Sequence, residues 1–269
     1  MPDGPEPEQT RGVDIPSVEP LSVDEIQLLG ENLLERVATG EISLEEAKEQ
    51  QRQLIVEAAG FDPFIEGLHN KGWFNQRLEQ EISRSRREQS SLSIVTIDLD
   101  GFKEVNDQAG HSAGDETLQH VGIILLEMAK RGVDAVARMG GDEFSLLMPG
   151  TDSIHSLVVA IRTLQTIPTI SPVDQNTGMT LPVTASIGVT EFDLHNKQET
   201  AKSFLERADQ ALKAAKIGGK NSICLSVTND STFSMDKLEA VLLRDVRIAP
   251  SEKAQTIADI VDHTILIHK

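Results

Sequence analysis

The sequence of 269 residues predicts an α+β fold, in which helices flank a central, mostly antiparallel five-stranded sheet. Strand and helix patterns between about residues 61 and 226 follow the order β-α-β-β-α-β, with one extra helix and one extra strand. This is the order of a ferredoxin-like sheet. A Gly-Gly turn between two short apolar runs indicates a β-hairpin at residues 135–148, which makes that part of the sheet antiparallel.

Each element of this fold is predicted by hydrophobic spacing. Apolar residues recur every three or four positions in a helix and form short continuous runs in a buried strand. On this basis we expect helices at residues 73–88, 117–130, 154–166 and 201–216, and strands at residues 93–97, 135–138, 144–148, 181–189 and 222–227.

The segments on either side of this fold have different compositions. Residues 1–20 contain five prolines and few large apolar residues, which predicts a disordered acidic tail. Residues 21–60 contain two capping boxes, which begin at Ser22 and Ser43, and apolar residues at helical spacing follow each. We therefore predict a helical hairpin, which is either a dimerisation and regulatory element or a simple helical cover. Residues 227–269 carry helix-like patterns at 235–244 and 252–265, and we predict a helical extension of unknown role.

Composition excludes several classes of partner. The formal net charge is −18, so the chain is a poor candidate for binding nucleic acid or an anionic membrane. The chain could still bind a phosphorylated small molecule if metal ions and a few lysines make the electrostatic potential positive at the binding site. The single cysteine, Cys224, cannot form an internal disulfide, which fits a reducing compartment. Because neither a signal-peptide pattern nor a membrane-length apolar run is found, we expect a cytoplasmic protein.

Residues 98–115 hold the densest group of polar side chains. Asp98 comes where an apolar strand ends, so its carboxylate projects from a rigid element and suits a hard, oxygen-seeking cation. Asp100 and the turn to Lys103 follow, where exposed amides and a lysine can bind phosphate oxygens. An Asp-x-Asp after a strand is also typical of plain turn chemistry, so this motif alone leaves both interpretations open.

The second polar motif is the turn of the predicted hairpin. Gly140 and Gly141 permit a tight turn and let a substrate approach the backbone. Asp142 and Glu143 then place two carboxylates side by side, and their repulsion favours a counter-cation such as Mg²⁺. The alternative is a solvated acidic turn, since Gly-Gly-Asp is a common turn tripeptide.

Together these motifs resemble the GGDEF domain of diguanylate cyclases. The signature stands unaltered from Gly140 to Phe144, and the upstream pattern D-x-D-x-F-K-x-x-N-D-x-x-G-H-x-x-G-D is matched over residues 98–115. Residues 186–189 resemble the S-I-G strand of the family, and residues 208–221 resemble its closing helix. The resemblance covers roughly residues 61–226 and implies the nucleotidyl-cyclase palm as the fold.

The resemblance also implies an activity and a set of site residues. A diguanylate cyclase condenses two GTP into cyclic di-GMP across a homodimer. The implied metal site, for Mg²⁺ with Mn²⁺ as the alternative, consists of Asp98, the carbonyl of Leu99, Asp142 and Glu143. The implied catalytic residues are Asp142, Glu143 and Lys103. The implied substrate-binding residues are Phe102, Lys103, Asn106, His111, Asp115, Gly140, Gly141, Lys216 and Lys220.

An inhibitory product site is implied by a third motif. Arg131-Gly-Val-Asp134 matches the R-x-x-D site of the family at its usual offset from the signature. There the arginine would fork onto a phosphate or guanine of cyclic di-GMP, and the aspartate would accept hydrogen bonds from guanine. The alternative is an incidental ion pair where a helix meets a strand.

The chain departs from the family pattern at its entry and in its closing helix. Pro63 and Glu66 replace the usual acid and threonine, so the partner expected for Arg138 is missing unless Asp62 or Glu66 substitutes. Lys213 occupies the position of the usual tyrosine, and Lys220 occupies that of the usual arginine. A lysine in place of the arginine keeps the positive charge but cannot donate two parallel hydrogen bonds to a phosphate.

Two other functions are weighed against an active cyclase. A catalytically silent receptor would bind cyclic di-GMP through Arg131 and Asp134, but such receptors typically have decayed signatures. A cyclase of altered base choice is opposed by Asp115, the residue expected to read the base. An unknown protein partner could use the hairpin or the C-terminal extension.

Overall fold

The computed structural model of the chain describes residues 23–129, 131–174, 176–227, 234, 236–238, 241 and 265–268. The helices are α1 (Val23–Ala38), α2 (Leu44–Ala58), α3 (Lys71–Glu88), α4 (Phe102–Ala109), α5 (His111–Met128), α6 (Ser153–Thr166) and α7 (Ala201–Ile217). The strands are β1 (His69–Asn70), β2 (Leu92–Asp100), β3 (Ala135–Gly140), β4 (Glu143–Pro149), β5 (Thr184–Glu191), β6 (Ser222–Ser226) and β7 (Ile265–His268).

The described strands form one sheet in the order β1-β3-β4-β2-β5-β6-β7. The central five are the predicted strands, and three of their four pairings are antiparallel, because only β5 and β6 run parallel. Two short strands, β1 and β7, add parallel pairs at the two edges. The predicted α+β class and its mostly antiparallel centre are therefore confirmed, with one unexpected strand on each side.

Helices cover both faces of the sheet and, in the described part of the chain, enclose two large apolar cores and one small cluster of Ala211, Ala215 and Cys224. Alternate residues of β2 enter different cores, with Val95 and Ile97 in one and Ile94 in the other, as the two-residue period of a strand requires. Helices α5 and α6 share the first core, and helices α3 and α7 share the second. The strand that ends at Asp98 and Asp100 is thereby fixed from both sides.

Close backbone contact fixes α7 on β5. A Cβ placed on Gly188 would lie 2.5 Å from the Leu212 nitrogen and 2.6 Å from the Ala208 oxygen. The Thr96 hydroxyl reaches the carbonyls of Gly188 and Ala208, at 3.3 Å each. This contact holds the last helix, which carries Lys216, against the strand layer.

The predicted helical hairpin is present as α1 and α2. Ser43 caps α2 with both hydrogen bonds of a capping box, as its sequence predicts. The capping box predicted at Ser22 and the predicted tail at residues 1–20 lie outside the described residues. Asn70 ties the hairpin to the following fold, because its side-chain amide donates to the carbonyl of Glu57 at 2.7 Å.

Three local predictions need correction. Residues 102–109, for which we predict no helix, form the separate helix α4, and α5 begins at His111 rather than at residue 117. The C-terminal extension is not wholly helical, because residues 265–268 form strand β7 beside β6. Residues 236–238 and 241 are helical, and most of the pattern at 252–265 lies outside the described residues.

Candidate active site

The two signature motifs meet where β2 and β4 pair. Asp98 lies opposite Glu143 in the antiparallel register, and the Leu99 amide donates to the Asp142 carbonyl at 3.4 Å. Two adjacent pairs of residues, which lie more than forty positions apart in sequence, are thus brought together at one corner of the sheet: Asp98 with Leu99, and Asp142 with Glu143. This is the set predicted as the metal site.

The turn that carries Asp142 has the backbone its sequence predicts. Gly140 and Gly141 have φ values of +146° and +53°, and no atom from elsewhere in the described ranges lies within 4 Å of the Cβ position of either. Arg138 donates from Nε and Nη2 to the Gly141 carbonyl at 2.9 and 2.7 Å. The turn is therefore held in place by an arginine while the space over its glycines stays open to a ligand.

Burial and electrostatic repulsion at this corner both act on the pKa values of the two signature carboxyls. Burial, reinforced by the charge of Asp98, raises the pKa of Asp142 above its ordinary value. The same two causes raise the pKa of Glu143, with smaller contributions from Asp142 and Asp209. Lys216 opposes both shifts. A group of carboxyls that resists ionisation is a favourable place for a bound cation.

Lys216 forms an ion pair with this group of carboxylates through Asp98. Its Nζ lies 2.7 Å from Oδ2 of Asp98, and the Asp98 side chain is only 13% exposed. The lysine reaches Asp98 from the end of α7, so the closing helix and the first carboxylate strand meet at the site. The structure therefore brings Lys216, predicted to bind substrate, to Asp98, one of the residues predicted for the metal.

The donor set suits Mg²⁺ only together with a nucleotide. Carboxylate and carbonyl oxygens are the ligands that Mg²⁺ prefers. Among the described residues, no three Asp, Glu, His or Cys side chains are arranged to hold a metal by themselves. Mg²⁺ is commonly bound by one or two carboxylates plus substrate phosphates, so an incomplete protein cage fits a metal–nucleotide complex.

Beside the carboxylates, α4 and α5 cross closely at Gly114. A Cβ there would lie 2.0 Å from Oδ1 of Asn106 and 3.4 Å from Cζ of Phe102. The half-buried Phe102 and Asn106 are therefore brought together, and Asp115 follows Gly114 on the exposed side of α5. Lys103, His111 and Lys220 are also exposed, and neither lysine pairs with a carboxylate in the part of the chain described.

The predicted inhibitory pair lies at a different place, before β3. The Asp134 amide donates to the Arg131 carbonyl at 2.8 Å, and Arg131 also donates to the Thr151 hydroxyl. Oδ1 of Asp134 is buried and has no hydrogen-bond partner among the described residues, and burial raises the pKa of this carboxyl. A cleft of about 200 Å³ next to it is lined by Arg131, Pro149, Gly150 and the end of α3.

The entry to the fold retains an acid–arginine contact despite its altered sequence. Oδ2 of Asp62 lies 3.8 Å from Nη1 of Arg138, and both side chains are largely buried. Asp62 is thus the substitute acid, and not Glu66. Because Arg138 also holds the Gly141 carbonyl, this contact links the entry segment to the signature turn.

Two contributors to the site were not predicted as site residues. The charge of Asp209 on α7 adds a small contribution to the raised pKa of Glu143, and only the fold brings these two charges near each other. Asp100 was noted as a possible phosphate-loop residue, but its carboxylate is buried and accepts three hydrogen bonds from the chain itself. The pattern of two aspartates separated by one residue contains no signal for this difference in role.

A second cleft lies away from the predicted residues. It has a volume of about 510 Å³ and opens between α5 and residues 169–173, with Glu116, His120 and Ile123 in its wall. None of the predicted site residues lines it. None of the helices in the described ranges is long and apolar enough to cross a lipid bilayer.

The fold and this corner define the class of protein: an α+β palm in which carboxylates and a lysine gather at the end of the central strand β2. The chain belongs to the family described as "Diguanylate cyclase, GGDEF domain", whose sequence pattern matches residues 61–222.

Curated relatives agree with this membership. The chain is 37% identical over 177 residues to diguanylate cyclase DgcP of Pseudomonas aeruginosa, covering 65% of this chain and 24% of DgcP. It is 39% identical over 150 residues to diguanylate cyclase A of Treponema denticola, covering 55% of this chain and 38% of that protein. The chain thus spans well under half the length of these two relatives.

Solved structures show the same fold. Diguanylate cyclase SiaD of Pseudomonas aeruginosa, solved with its activator SiaC, matches with a TM-score of 0.57 and 31% identity, over 76% of this chain and 75% of that one. The GGDEF domain of DgcB from Caulobacter crescentus, solved in complex with c-di-GMP, matches with a TM-score of 0.56 and 26% identity, over 61% of this chain and 93% of that one.

Proposed function

We propose that the chain is a diguanylate cyclase that condenses two GTP into cyclic di-GMP and releases two pyrophosphates. The observation that carries this proposal is the group of Asp98, Asp142 and Glu143 with Lys216 beside it. Carboxylates that repel one another need a metal, and a lysine within reach of the same place suits the phosphates that a metal accompanies. Relatives named as diguanylate cyclases support the choice of reaction.

In this proposal the site holds Mg²⁺, with Mn²⁺ as the alternative, through Asp98, the Leu99 carbonyl, Asp142 and Glu143. When bound, the cation favours deprotonation of the ribose 3′-hydroxyl and offsets charge on the phosphate oxygens. The incomplete cage among the described side chains leaves coordination positions to the nucleotide.

The remaining predicted residues bind and orient GTP. Asn106 and Asp115 read the guanine edge, with Phe102 packed beside Asn106. Lys103, Lys216 and Lys220 neutralise the triphosphate, and His111 lies near the nucleotide. The open backbone at Gly140 and Gly141 lets the substrate approach the turn closely.

The reaction forms one phosphodiester bond at each of two sites. Asp142 accepts the proton of the 3′-hydroxyl, assisted by Glu143. The 3′-oxygen attacks the α-phosphorus of the other GTP, and the bond from that phosphorus to the bridging oxygen breaks. Pyrophosphate then leaves with the electron pair, while Lys103 offsets the charge on it.

Two copies of the chain are required, because each site binds one GTP and the two nucleotides must face each other. We propose that the hairpin of α1 and α2 assists this homodimer. Its exposed apolar side chains support the proposal, since Leu34, Leu44 and Ile55 are 65%, 52% and 52% exposed. The segments at residues 1–20, 21–60, 61–226 and 227–269 remain our proposed division of the chain into tail, hairpin, catalytic domain and extension.

Product feedback is proposed at Arg131 and Asp134. The unpartnered oxygen of Asp134 and the adjoining cleft support a ligand at this position. The silent-receptor alternative would use the same pair, but nothing about the signature carboxylates favours a loss of catalysis.

The test is incubation of the protein with GTP and Mg²⁺, followed by chromatography of the products. We expect cyclic di-GMP and pyrophosphate from the natural chain. The variant Asp142→Ala should form neither, yet should still bind cyclic di-GMP, whereas the exposed control Glu116→Gln should turn over normally. Absence of cyclic di-GMP from a folded, dimeric, product-free sample would overturn the proposal, and normal turnover by Asp142→Ala would overturn the metal assignment.

The regulatory site is tested separately. Arg131→Ala should relieve inhibition by added cyclic di-GMP, and the exposed control Arg87→Ala should not. Unchanged inhibition in Arg131→Ala would count against the assignment.

A further inference from the structure

The second aspartate of the Asp-x-Asp pair has a different environment from the first. Asp100 is 7% exposed, and both of its carboxylate oxygens are engaged. Oδ1 accepts from the Ser186 hydroxyl at 2.9 Å. Oδ2 accepts from the Thr184 hydroxyl at 3.2 Å and from the Asn221 amide at 2.9 Å. A carboxylate that is buried and satisfied in this way has no free oxygen to offer a metal or a substrate.

The Asn221 contact fixes a strained turn. Lys220 and Asn221 have φ values of +64° and +43°, so two consecutive residues other than glycine lie in the left-handed region. Such backbone is costly and persists only where surrounding contacts determine it, and a lysine lacks the short side chain that helps Asn tolerate it. The strain therefore calls for a contact that holds the turn from outside.

Asp100 is that outside contact. The Gly218 amide, the Lys220 amide and the Ser222 hydroxyl all donate back to the carbonyls of Ala214 and Ala215 in α7. These three bonds go to α7, whereas the bond from the Asn221 amide to the Asp100 carboxylate joins the turn to β2. It joins the strand of the carboxylates to the turn that follows the closing helix.

The contact between Asp100 and Asn221 lies beside the candidate active site. Residues two apart in a strand point to the same face, so Asp98 and Asp100 lie side by side. Asp98 contacts Lys216 at 2.7 Å, and Asp100 contacts Asn221, which directly follows Lys220. The two aspartates thus hold both ends of the segment that carries the two phosphate-binding lysines.

We propose that Asp100 is a positioning residue that fixes the turn of residues 218–221 and thereby presents Lys216 and Lys220 to the triphosphate of GTP. The proposal rests on the proposed function, because it assumes that these lysines bind phosphate. It assigns Asp100 no contact with the substrate. Its effect should be confined to the phosphate end of the ligand and should leave the guanine end near Asn106 unchanged.

The experiment compares Asp100→Ala and Asp100→Asn with the matched control Ser186→Ala. The control removes a partner of the same carboxylate but leaves the bond from Asn221. Two probes are titrated in Mg²⁺: a GTP analogue whose α–β bridge is a methylene group, and guanosine, which has no phosphate. Amide hydrogen exchange at Asn221 is followed in the ligand-free proteins.

In Asp100→Ala we expect affinity for the GTP analogue to fall roughly 10-fold to 100-fold, because charge-assisted contacts from the lysines are lost. Affinity for guanosine should stay within about twofold, and the Asn221 amide should exchange faster. Asp100→Asn keeps an acceptor for the Asn221 amide and should recover most of the affinity. Ser186→Ala should change neither readout.

Equal losses for both probes would mean a general structural role and would overturn the proposal. Unchanged affinity for the analogue would also overturn it, as would unaltered exchange at Asn221. Failure of the proposed function gives a different result, since the natural chain itself would then bind neither probe and make no cyclic di-GMP.

Discussion

The close contact between α4 and α5 at Gly114 leads to a testable prediction about guanine recognition. The variant Gly114→Ala adds one methyl group 2.0 Å from Oδ1 of Asn106. Non-bonded atoms settle at about 3.5–4.0 Å, so the Asn106 amide must move by at least about 1.5 Å. The change is therefore aimed at a single side chain that we assign to the base.

The free energy of unfolding should change little. Ala replaces Gly inside a helix, which gains about 1 kcal/mol. Displacing a flexible amide by a rotation of about 30° costs about 0.5–1.5 kcal/mol. The two effects nearly cancel, because the near neighbour is the end of a side chain and not backbone.

Nucleotide binding should change much more. Donor–acceptor distances in hydrogen bonds vary over a range of only about 0.5 Å, so a displaced Asn106 cannot keep its bond to guanine. A buried polar group left without its partner costs about 1–3 kcal/mol, which is roughly a 5-fold to 150-fold rise in KM for GTP. Steady-state release of pyrophosphate measures KM, and urea unfolding measures stability.

The matched control is Gln119→Ala, an exposed change on the same helix. It should leave KM unaltered. If Gly114→Ala bound GTP as tightly as the natural protein while remaining folded, Asn106 would not be facing the base. A large loss of stability with unchanged nucleotide affinity would likewise refute the reasoning, since it would place the cost in the core.

Three further predictions concern stability. Gly188→Ala should lower the free energy of unfolding by about 1–3 kcal/mol or more, because its Cβ would meet backbone atoms of α7, and a normal urea midpoint would contradict that packing. Asp142→Asn should raise the melting temperature in metal-free buffer and lose the increase that Mg²⁺ gives the natural chain, as thermal melts with and without Mg²⁺ will show. The pKa values of Asp142 and Glu143 are raised on folding, so their carboxyls bind protons more tightly in the folded state. The stability that this tighter proton binding contributes is therefore fully present at pH values below their ordinary pKa values near 4. It is lost as the pH rises through the raised pKa values of the folded state. Urea unfolding without metal should accordingly show that the free energy of unfolding of Asp142→Asn, relative to that of the natural chain, increases between about pH 4 and pH 7. The same difference between the two proteins at both pH values would contradict this prediction.

Much of the sheet could be predicted from the sequence, because its strands are local. The apolar run before Asp98 and the Gly-Gly turn each depend on neighbours in the chain, and both are found where expected. Helix α4 was missed although Phe102, Val105 and Ala109 lie on one face. It begins after Gly101 without a side-chain cap, so the usual start signal is absent.

The rest depends on partners that are distant in sequence. The bonds that engage Asp100 come from residues 84 to 121 positions away. Strand β7 pairs with β6, and Ile265 lies opposite Ile223. A short apolar run carries no information about such a partner, and the helical pattern predicted for residues 252–265 overlaps this strand only at Ile265. The proximity of Asp98 and Glu143 follows only from the register of the folded sheet.

The extra strand β7 has a practical consequence for handling the protein in pieces. The family pattern ends at residue 222, which is the first residue of β6. A fragment cut there would lack β6 and would leave the hydrogen-bonding groups of β5 without their parallel neighbour. A fragment cut after β6 would instead bare the backbone that β7 now covers. In the described sheet β7 is the edge strand, so either cut would move the exposed edge to a strand that is now paired on both sides. Such an edge invites pairing between molecules, so fragments should be chosen to keep residues 265–268.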